Sequence, residues 1–293
     1  MKTIGIVGAT GLIGSSLMRY FNANGYEVRP ICRKRTTSMD KEWRELSKAA
    51  VSGLDVLINV SGAPIDGRWT DDYKKEMWDS RVGLTNQLRI WVEELAPDLQ
   101  PQTWINISAV GIYGDRGDEL ITEASPIAND YLADMCKCWE DASQTDCCRV
   151  VMPRIGVVIS EDAKFWRRIC QIFSLGIGGR LSTGKQWFPW LAMDDLHEAF
   201  QFIIENPSLC GGVNVVSAPP VTNLEFTDVV AKSLNRPAIF PVPRVMLRLA
   251  LGDFAAVTLA SQRVFAGKLA DAGFRPRWNS LRDCVNDLVA KKG

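Results

Sequence analysis

The stretch "TIGIVGATGLIG", residues Thr3 to Gly14, decides the fold. A short apolar and β-branched run leads into three glycines, and the amphipathic segment "IGSSLMRYFNANG" follows directly. This order predicts a buried strand, a glycine-rich turn and a helix, which is the context that a dinucleotide loop requires. Glycine allows the tight turn and the close approach of backbone to pyrophosphate, while the free N–H groups that begin the helix face the phosphates. The predicted loop residues are Gly8, Thr10, Gly11, Leu12, Ile13 and Gly14.

Strand and helix patterns alternate after this turn. Further buried-strand patterns are "YEVRPICR" (26–33), "DVLINVSG" (55–62), "TWINISAV" (103–110) and "RVVMPRIGVVIS" (149–160). Repeated strand–helix units with apolar strands predict an α/β fold, a Rossmann-like doubly wound parallel sheet with a smaller C-terminal α/β lobe. We expect a nucleotide-binding core at 1–160, to which 186–217 return. We expect the smaller substrate or partner lobe at 161–185 and 218–293.

The end of the second strand bears on which dinucleotide binds. An NAD site usually has Asp or Glu here to accept a hydrogen bond from the ribose 2′-hydroxyl, but this chain has Arg33, Lys34 and Arg35. A guanidinium can grip a 2′-phosphate through two charge-assisted hydrogen bonds. The sequence therefore favours NADP(H), although a solvated basic turn is the alternative reading.

Composition excludes several classes of function. The 293 residues carry 34 basic and 34 acidic side chains with no basic block, so we expect neither nucleic acid nor a membrane as partner. Eight cysteines without paired CxxC spacing, and no signal peptide or spanning apolar run, predict a cytoplasmic protein. The single histidine, His197, lies in an amphipathic helix pattern and is more typical of packing than of catalysis, and we expect no metal site.

Several motifs together resemble an atypical branch of the short-chain dehydrogenase/reductase superfamily, the epimerase family proteins. The resemblance rests on "GATGLIG", "SGAPI" (61–65), "YKKEMWDSRVGLTNQL" (73–88), "NISAVGIYGD" (106–115) and "GKQWFPWLAMDDL" (184–196). The C-terminal "RPAIFPVPRVMLRLALGDFA" and "SQRVFAGKLADAGFRPRW" resemble that group's small terminal module of unassigned function. The resemblance covers nearly the whole chain and implies cofactor contacts from Ser61, Gly62 and Val157.

Ordinary members of that superfamily use a serine and a Tyr-xxx-Lys pair, in which lysine lowers the tyrosine pKa and tyrosine exchanges a proton with substrate. Ser108 matches the serine. In "YLADMCKCWE" (131–140), alignment on Glu140 puts Leu132 and Cys136 at the pair positions, whereas alignment on Tyr131 puts Met135 at the lysine position. Neither register supplies the pair. Cys136 either faces the nicotinamide or simply packs as a small apolar residue.

The resemblance points to a compensating cation. Arg81 stands where ordinary members have asparagine, and Glu76, five residues earlier, also matches the pattern. We expect Arg81 to contact the cofactor or a substrate oxygen, with Glu76 fixing it.

Other side chains are candidates for the substrate region. Tyr113 follows Ser108 by five residues, on the loop that normally borders the substrate, and offers a displaced acid. "GKQWFPW" brings Lys185, Gln186, Trp187 and Trp190 to the region where relatives form the substrate wall, although such aromatic residues are equally typical of a lobe core. The histidine usual near this point is replaced by Ala192.

Two classes of function remain open. The first is an NADP(H)-dependent oxidoreductase or epimerase on an unknown small polar metabolite, using Ser108 with Tyr113 or Tyr131 and support from Arg81. The second is a catalytically silent NADPH-binding regulator or sensor, in which the C-terminal module serves a protein partner. Loss of the Tyr/Lys pair favours the second class, and the retained serine and aromatic wall favour the first.

Overall fold

The computed structural model describes residues 2–34 and 43–291, so Arg35 lies outside the described residues. Its strands are β1 (Thr3–Val7), β2 (Glu27–Cys32), β3 (Arg44–Glu45), β4 (Val56–Asn59), β5 (Thr103–Asn106), β6 (Ser108–Ala109), β7 (Leu120–Ile121), β8 (Arg149–Ile155), β9 (Val157–Ile159), β10 (Trp187–Phe188), β11 (Trp190–Ala192), β12 (Gly211–Val215), β13 (Val221–Thr222) and β14 (Arg263–Val264).

Its α-helices are α1 (Leu12–Ala23), α2 (Lys48–Val51), α3 (Asp71–Trp78), α4 (Leu84–Glu93), α5 (Tyr131–Ala142), α6 (Lys164–Ser174), α7 (Met193–Glu205), α8 (Asn223–Ser233), α9 (Arg244–Leu251), α10 (Phe254–Leu259), α11 (Gly267–Asp271) and α12 (Leu281–Ala290). A π-helix, Asp79–Gly83, joins α3 to α4, and 3-10 helices span Pro97–Leu99 and Val110–Tyr113.

The main sheet has the strand order β3-β2-β1-β4-β5-β8-β12, with β6 also paired to β8, and every pairing in it is parallel. All residues of β1, β4 and β5 are buried, because helices cover both faces of a parallel sheet. The doubly wound, Rossmann-like sheet predicted from the sequence is therefore confirmed. The carboxyl ends of its strands meet at one edge, which is where such folds bind ligands.

The segment between β11 and β12 packs against the first helix. The ring of His197, on α7, lies 2.8 Å from the Ser16 hydroxyl and stacks on Tyr20 at 4.8 Å between ring centroids. Burial lowers the pKa of His197 to about 4. The side chain therefore packs as a neutral imidazole between two helices, as its amphipathic context predicts.

A second apolar cluster holds α6, α8 and α12 together. Its large members include Trp166, Phe226 and Val285, and Trp190 on β11 lies within it. The buried carboxylate of Asp195, on α7, accepts hydrogen bonds from the backbone N–H groups of Arg277 and Trp278 and so fixes the chain just before α12. The division of the chain into two domains stays a prediction.

Candidate functional site

The glycine turn at the end of β1 has no room for side chains. Gly8 has φ +88°, a conformation that favours glycine, and a Cβ there would lie 2.8 Å from the backbone nitrogen of Ser61. A Cβ on Gly14 would lie 2.3 Å from the carbonyl oxygen of Gly8. Gly11 caps α1 without a side-chain hydrogen bond, and Thr10 and Gly11 are exposed. The first N–H groups of α1 therefore open onto the carboxyl edge of the sheet.

Buried asparagines end β4 and β5, the two strands that follow β1 across the sheet, and hold the carboxyl edge in place. Asn59 and Asn106 are register partners on β4 and β5, both fully buried, and Asn59 Nδ2 donates to Asn106 Oδ1 at 2.7 Å. Ser61 follows β4, and both its hydroxyl and its backbone N–H donate to Asn59 Oδ1. This network fixes the segment carrying Ser61 and Gly62 against the glycine turn. The signal that sequence reasoning missed is an asparagine at the end of each of two neighbouring apolar strands.

The two basic residues described after β2 lie at the same edge. Arg33 and Lys34 are exposed and directly follow the strand that pairs with β1. The structure thus places both beside the glycine turn, on the side where the sequence predicts the adenosine ribose.

Arg81 is carried by the π-helix and reaches the segment after β4. Its guanidinium donates to the carbonyl oxygens of Ala63, at 2.9 Å, and Met77, at 3.3 Å, and lies over the Trp139 ring at 5.2 Å. A Cβ on Gly62 would lie 3.1 Å from its Cζ. Within residues 2–34 and 43–291, no carboxylate forms an ion pair with it. Burial lowers the pKa of Arg81, yet a guanidinium stays charged, so this partly buried cation keeps donors for an anionic or carbonyl ligand.

The expected role of Glu76 is corrected by the structure. Glu76 is exposed on α3, and the described contacts of Arg81 do not include it. Two backbone carbonyls and an indole ring hold Arg81 instead, because the π-helix directs Arg81 inward while Glu76 stays on the solvent face.

Ser108 belongs to a buried ionic network. Its hydroxyl donates to Glu140 Oε1 at 2.7 Å, and Glu140 receives two further hydrogen bonds of 2.8 Å from Arg154. The side chains of Arg154 and Glu140 are only 11 % and 8 % exposed. Burial alone would lower the pKa of Arg154, but its hydrogen bonds to Glu140 raise it. The serine hydroxyl is therefore bound to the carboxylate of an ion pair. Sequence reasoning missed Arg154, a charged residue within the apolar strand β8.

The expected placement of Tyr113 at the substrate border is also corrected. Its side chain is fully buried, and its hydroxyl donates to Asn214 Oδ1 at 2.7 Å and accepts from Arg154 at 2.8 Å. Burial raises the pKa of Tyr113. The apolar loop "AVGIYG" turns this ring into the core, so its hydroxyl is occupied within the protein.

Helix α5 buries the candidate lysine positions of both registers. Leu132, Met135 and Cys136 are buried, whereas Lys137 is exposed and pairs with Asp141 at 2.6 Å. Burial raises the pKa of Cys136 to about 12, although Arg81 opposes the shift. At neutral pH the thiol is protonated, so Cys136 packs as a neutral residue and does not supply the charge of a lysine.

Tyr131, the first residue of α5, is half-buried at a cleft. Its hydroxyl donates to the Lys74 carbonyl oxygen at 3.0 Å, and its ring lies 5.5 Å from that of Trp69. Burial raises the pKa of Tyr131 and the charge of Arg81 opposes the rise. Among the sequence-predicted hydroxyl groups, Tyr131 alone lines the cleft that the described residues form here.

This cleft, of about 990 Å³, lies between α5 and the C-terminal module. Lys185 and Gln186 line it, as do Lys74, Arg244 and Arg248, which sequence reasoning did not select. Lys74 Nζ lies 3.7 Å from Asp253 Oδ2, so an ion pair crosses from α3 to the chain just before α10. The cleft is built from segments far apart in the chain, which explains why local motifs missed these residues.

The sequence leaves the aromatic residues before α7 as either a substrate wall or a lobe core, and in the structure they differ in burial. Trp190 is buried in the second apolar cluster and donates to the Pro219 carbonyl oxygen at 3.1 Å. Trp187 is partly exposed and donates to Asp118 at 2.9 Å. Ala192 is buried, and Val157, in β9, is partly exposed and pairs with Trp190. The described residues hold no group of three metal-ligating side chains.

The strand order and the glycine-bordered carboxyl edge define a doubly wound protein with a Rossmann-like fold. Residues 4–216 match the NAD dependent epimerase/dehydratase family, and residues 242–288 match a domain of unknown function, DUF1731. The chain belongs to the NAD dependent epimerase/dehydratase family.

Three relatives show the extent of the similarity. An epimerase family protein of Mycobacterium bovis, Mb2239, is 34 % identical over 300 residues, covering 99 % of this chain and 98 % of its own. The structure of human epimerase family protein SDR39U1 with NADPH has a TM-score of 0.91 at 26 % identity, covering 98 % of this chain and 99 % of its own. A nucleoside-diphosphate sugar epimerase from Corynebacterium glutamicum has a TM-score of 0.81 at 28 % identity, covering 99 % of this chain and 58 % of its own.

The buried ion pair gives a stability prediction. We expect Glu140→Gln to reduce the free energy of unfolding by about 3–5 kcal/mol, because it leaves the Arg154 charge buried without its partner. Asp141→Asn, the same change on the exposed side of the same helix, should cost no more than about 1 kcal/mol. Equilibrium unfolding in urea measures both values, and equal losses for the two variants would contradict the prediction.

Proposed function

We propose that this protein binds NADP(H) along the carboxyl edge of the main sheet and acts as an oxidoreductase or epimerase on a small polar molecule in the adjacent cleft. The observation that carries the proposal is Arg81, a partly buried cation with unused donors, beside a glycine-lined edge. Tyr131 supports the proposal on the substrate side, because it lines the cleft and the charge of Arg81 opposes the rise in its pKa.

The residues present fit a dinucleotide. Gly8 and Gly14 let the turn pack closely against Ser61 and against itself, and α1 begins with N–H groups that no side chain caps. Ser61, Gly62 and Val157 would border its nicotinamide half, with Thr10, Leu12 and Ile13 beside the phosphates. When bound, the cofactor supplies hydride exchange.

The choice of NADP(H) rests on charge. Arg33 and Lys34 are exposed at the end of β2, where an NAD site usually has a carboxylate. The structure of the human relative, whose fold matches closely, was determined with NADPH. A 2′-phosphate at this position would meet two cations.

Tyr131 is the proposed proton donor, and Arg81 the proposed electrostatic support. The Tyr131 hydroxyl can leave its bond to the Lys74 carbonyl and turn to a substrate oxygen in the cleft, since its ring already lines that space. Ser108 acts in this proposal as a positioning residue, because its hydroxyl is held by Glu140.

The hydrogen bond from Ser108 to Glu140 also favours a second function, that of a regulator. An NADPH-binding regulator needs no free Ser108, and the buried thiol of Cys136 is neutral where ordinary members have an ammonium. In this alternative the cofactor organises the C-terminal module for a protein partner, and no hydride moves.

The first prediction of this proposal concerns cofactor choice. We expect NADPH to bind more tightly than NADH, and Arg33→Ala to weaken NADPH binding about ten-fold or more while leaving NADH affinity unchanged. Each charge-assisted contact to the 2′-phosphate stabilises the complex by about 1.5–3 kcal/mol. Fluorescence titration with both cofactors measures this, and equal wild-type affinities would remove the argument for NADP(H).

The second prediction separates the two candidates for a lysine substitute. We expect Arg81→Ala to weaken NADPH binding by about ten-fold or more, because charge-assisted contacts are lost. Cys136→Ala should stay within a few-fold of wild type, because no charged contact is removed. A large loss for Cys136→Ala with none for Arg81→Ala would show that the compensation belongs to the thiol.

The third prediction tests the chemistry. With a small-molecule extract as substrate source, we expect Tyr131→Phe to lower the rate of NADPH oxidation at least about 100-fold, the usual effect of losing a general acid. Tyr73→Phe is the matched control, because that hydroxyl also donates to a backbone carbonyl, at 2.8 Å, but its residue does not line the cleft. NADPH affinity should be unchanged in both variants. Tight NADPH binding without any oxidation by wild type would favour the regulator.

A further inference from the structure

The side chain of Thr85 lies at the centre of a buried polar network at the carboxyl edge of the main sheet. Thr85 is the second residue of α4 and is fully buried. Its hydroxyl accepts hydrogen bonds from Asn59 Nδ2 at 3.1 Å and from Trp139 Nε1 at 3.0 Å. The same hydroxyl donates to Asn106 Oδ1 at 3.3 Å. A hydroxyl group offers one donor and two acceptor sites, so all of them are used within the protein.

The indole ring of Trp139 connects this hydroxyl to Arg81. The edge of the ring is bonded to Thr85 through Nε1, and the guanidinium of Arg81 lies over its face at 5.2 Å from the centroid. Trp139 is buried on α5, so its N–H needs an acceptor inside the protein. The Thr85 hydroxyl provides that acceptor and so fixes the angle of the ring on which Arg81 rests.

A second support of Arg81 also depends on the Thr85 hydroxyl. Asn59, which donates to Thr85, accepts hydrogen bonds from both the N–H and the hydroxyl of Ser61. Two residues further along the chain, the carbonyl oxygen of Ala63 accepts from Arg81 at 2.9 Å. The indole ring and the Ala63 carbonyl, two of the groups that hold the guanidinium, are therefore both connected to Thr85.

We propose that Thr85 is a positioning residue for Arg81, and that its hydroxyl sets the direction in which the guanidinium presents its remaining donors to the cofactor. The inference rests on the proposed role of Arg81 in binding NADPH. Thr85 is fully buried and does not line the cleft, so it acts through Trp139 and Asn59 and not by touching a ligand.

Replacing Thr85 by valine would keep the shape of the side chain and remove the acceptor. The Trp139 N–H would then stay unpaired in the interior, which is costly, or the ring would turn toward another acceptor. A turned ring would no longer support Arg81 at the same angle, so the change would reach the cofactor site. Thr85→Ser keeps the hydroxyl and should keep the arrangement.

Titration of the full chain with NADPH tests the proposal, at a temperature where every variant is folded. We expect Thr85→Val to weaken NADPH binding about five-fold, the equivalent of one neutral hydrogen bond, and Thr85→Ser to bind like wild type. In the Arg81→Ala background, Thr85→Val should cause no further loss, because the residue that it positions is absent. A hydroxyl that only stabilises the fold would not show this dependence on Arg81.

Thr103→Val is the matched control. Thr103 is also a buried threonine, at the amino end of β5, and its hydroxyl accepts a hydrogen bond from Arg149 at 3.0 Å. This variant also removes a buried acceptor, so it should lower the unfolding temperature as Thr85→Val does. It should bind NADPH like wild type, because its hydroxyl lies at the opposite end of the strand from Asn106.

Wild-type affinity in Thr85→Val would overturn the proposal, as would an equal loss in Thr103→Val or a full loss that persists in the Arg81→Ala background. The two proposals can be separated. If Arg81→Ala left NADPH affinity unchanged, the proposed role of Arg81 would fail and Thr85 would have nothing to position. Weaker binding by Arg81→Ala with unchanged binding by Thr85→Val would remove this inference alone.

Discussion

The ion pair between Glu140 and Arg154 organises the centre of this molecule. It joins α5 to β8, holds Ser108 on β6, and continues through Tyr113 to Asn214 on β12. Asn214 in turn donates to the Phe265 carbonyl, so one polar chain runs from the core of the sheet to the C-terminal module. Two desolvated charges are costly unless every donor and acceptor is used. That demand fixes where each of these side chains can point.

This constraint changes the chemistry of the site. A serine that serves a buried carboxylate is not free for substrate, and a tyrosine that bridges arginine and asparagine is not free to donate. Helix α5 presents a neutral thiol at Cys136, whereas the guanidinium of Arg81, carried by the π-helix, lies over the ring of Trp139 on α5. The positive charge that approaches α5 here therefore comes from a different part of the chain.

The sequence predicts what depends on local patterns. Apolar runs and a glycine triplet suffice for the strands, the turn and α1, and helical periodicity suffices to place Leu132, Cys136 and Glu140 on one buried face. It fails where a side chain is positioned by partners distant along the chain. Nothing near Tyr113 indicates that Arg154 and Asn214 occupy its hydroxyl, and the cleft draws Lys74 and Arg248 from segments far apart.

The position of Arg81 shows the limit of periodicity most clearly. Between α3 and α4 the chain forms a π-helix, Asp79–Gly83, whose turn is wider than that of an α-helix. A pattern of 3.6 residues per turn relates Glu76 to Arg81 only imperfectly, and in the structure the two side chains separate, one to solvent and one toward Gly62. Such turns are rare and concentrate at functional sites, since regular helix geometry would be more stable without a reason to depart from it. This cation, placed by an irregular turn, is held by two carbonyl oxygens and an indole ring, and no carboxylate of residues 2–34 and 43–291 pairs with it, so its remaining donors are not taken up by an ion pair.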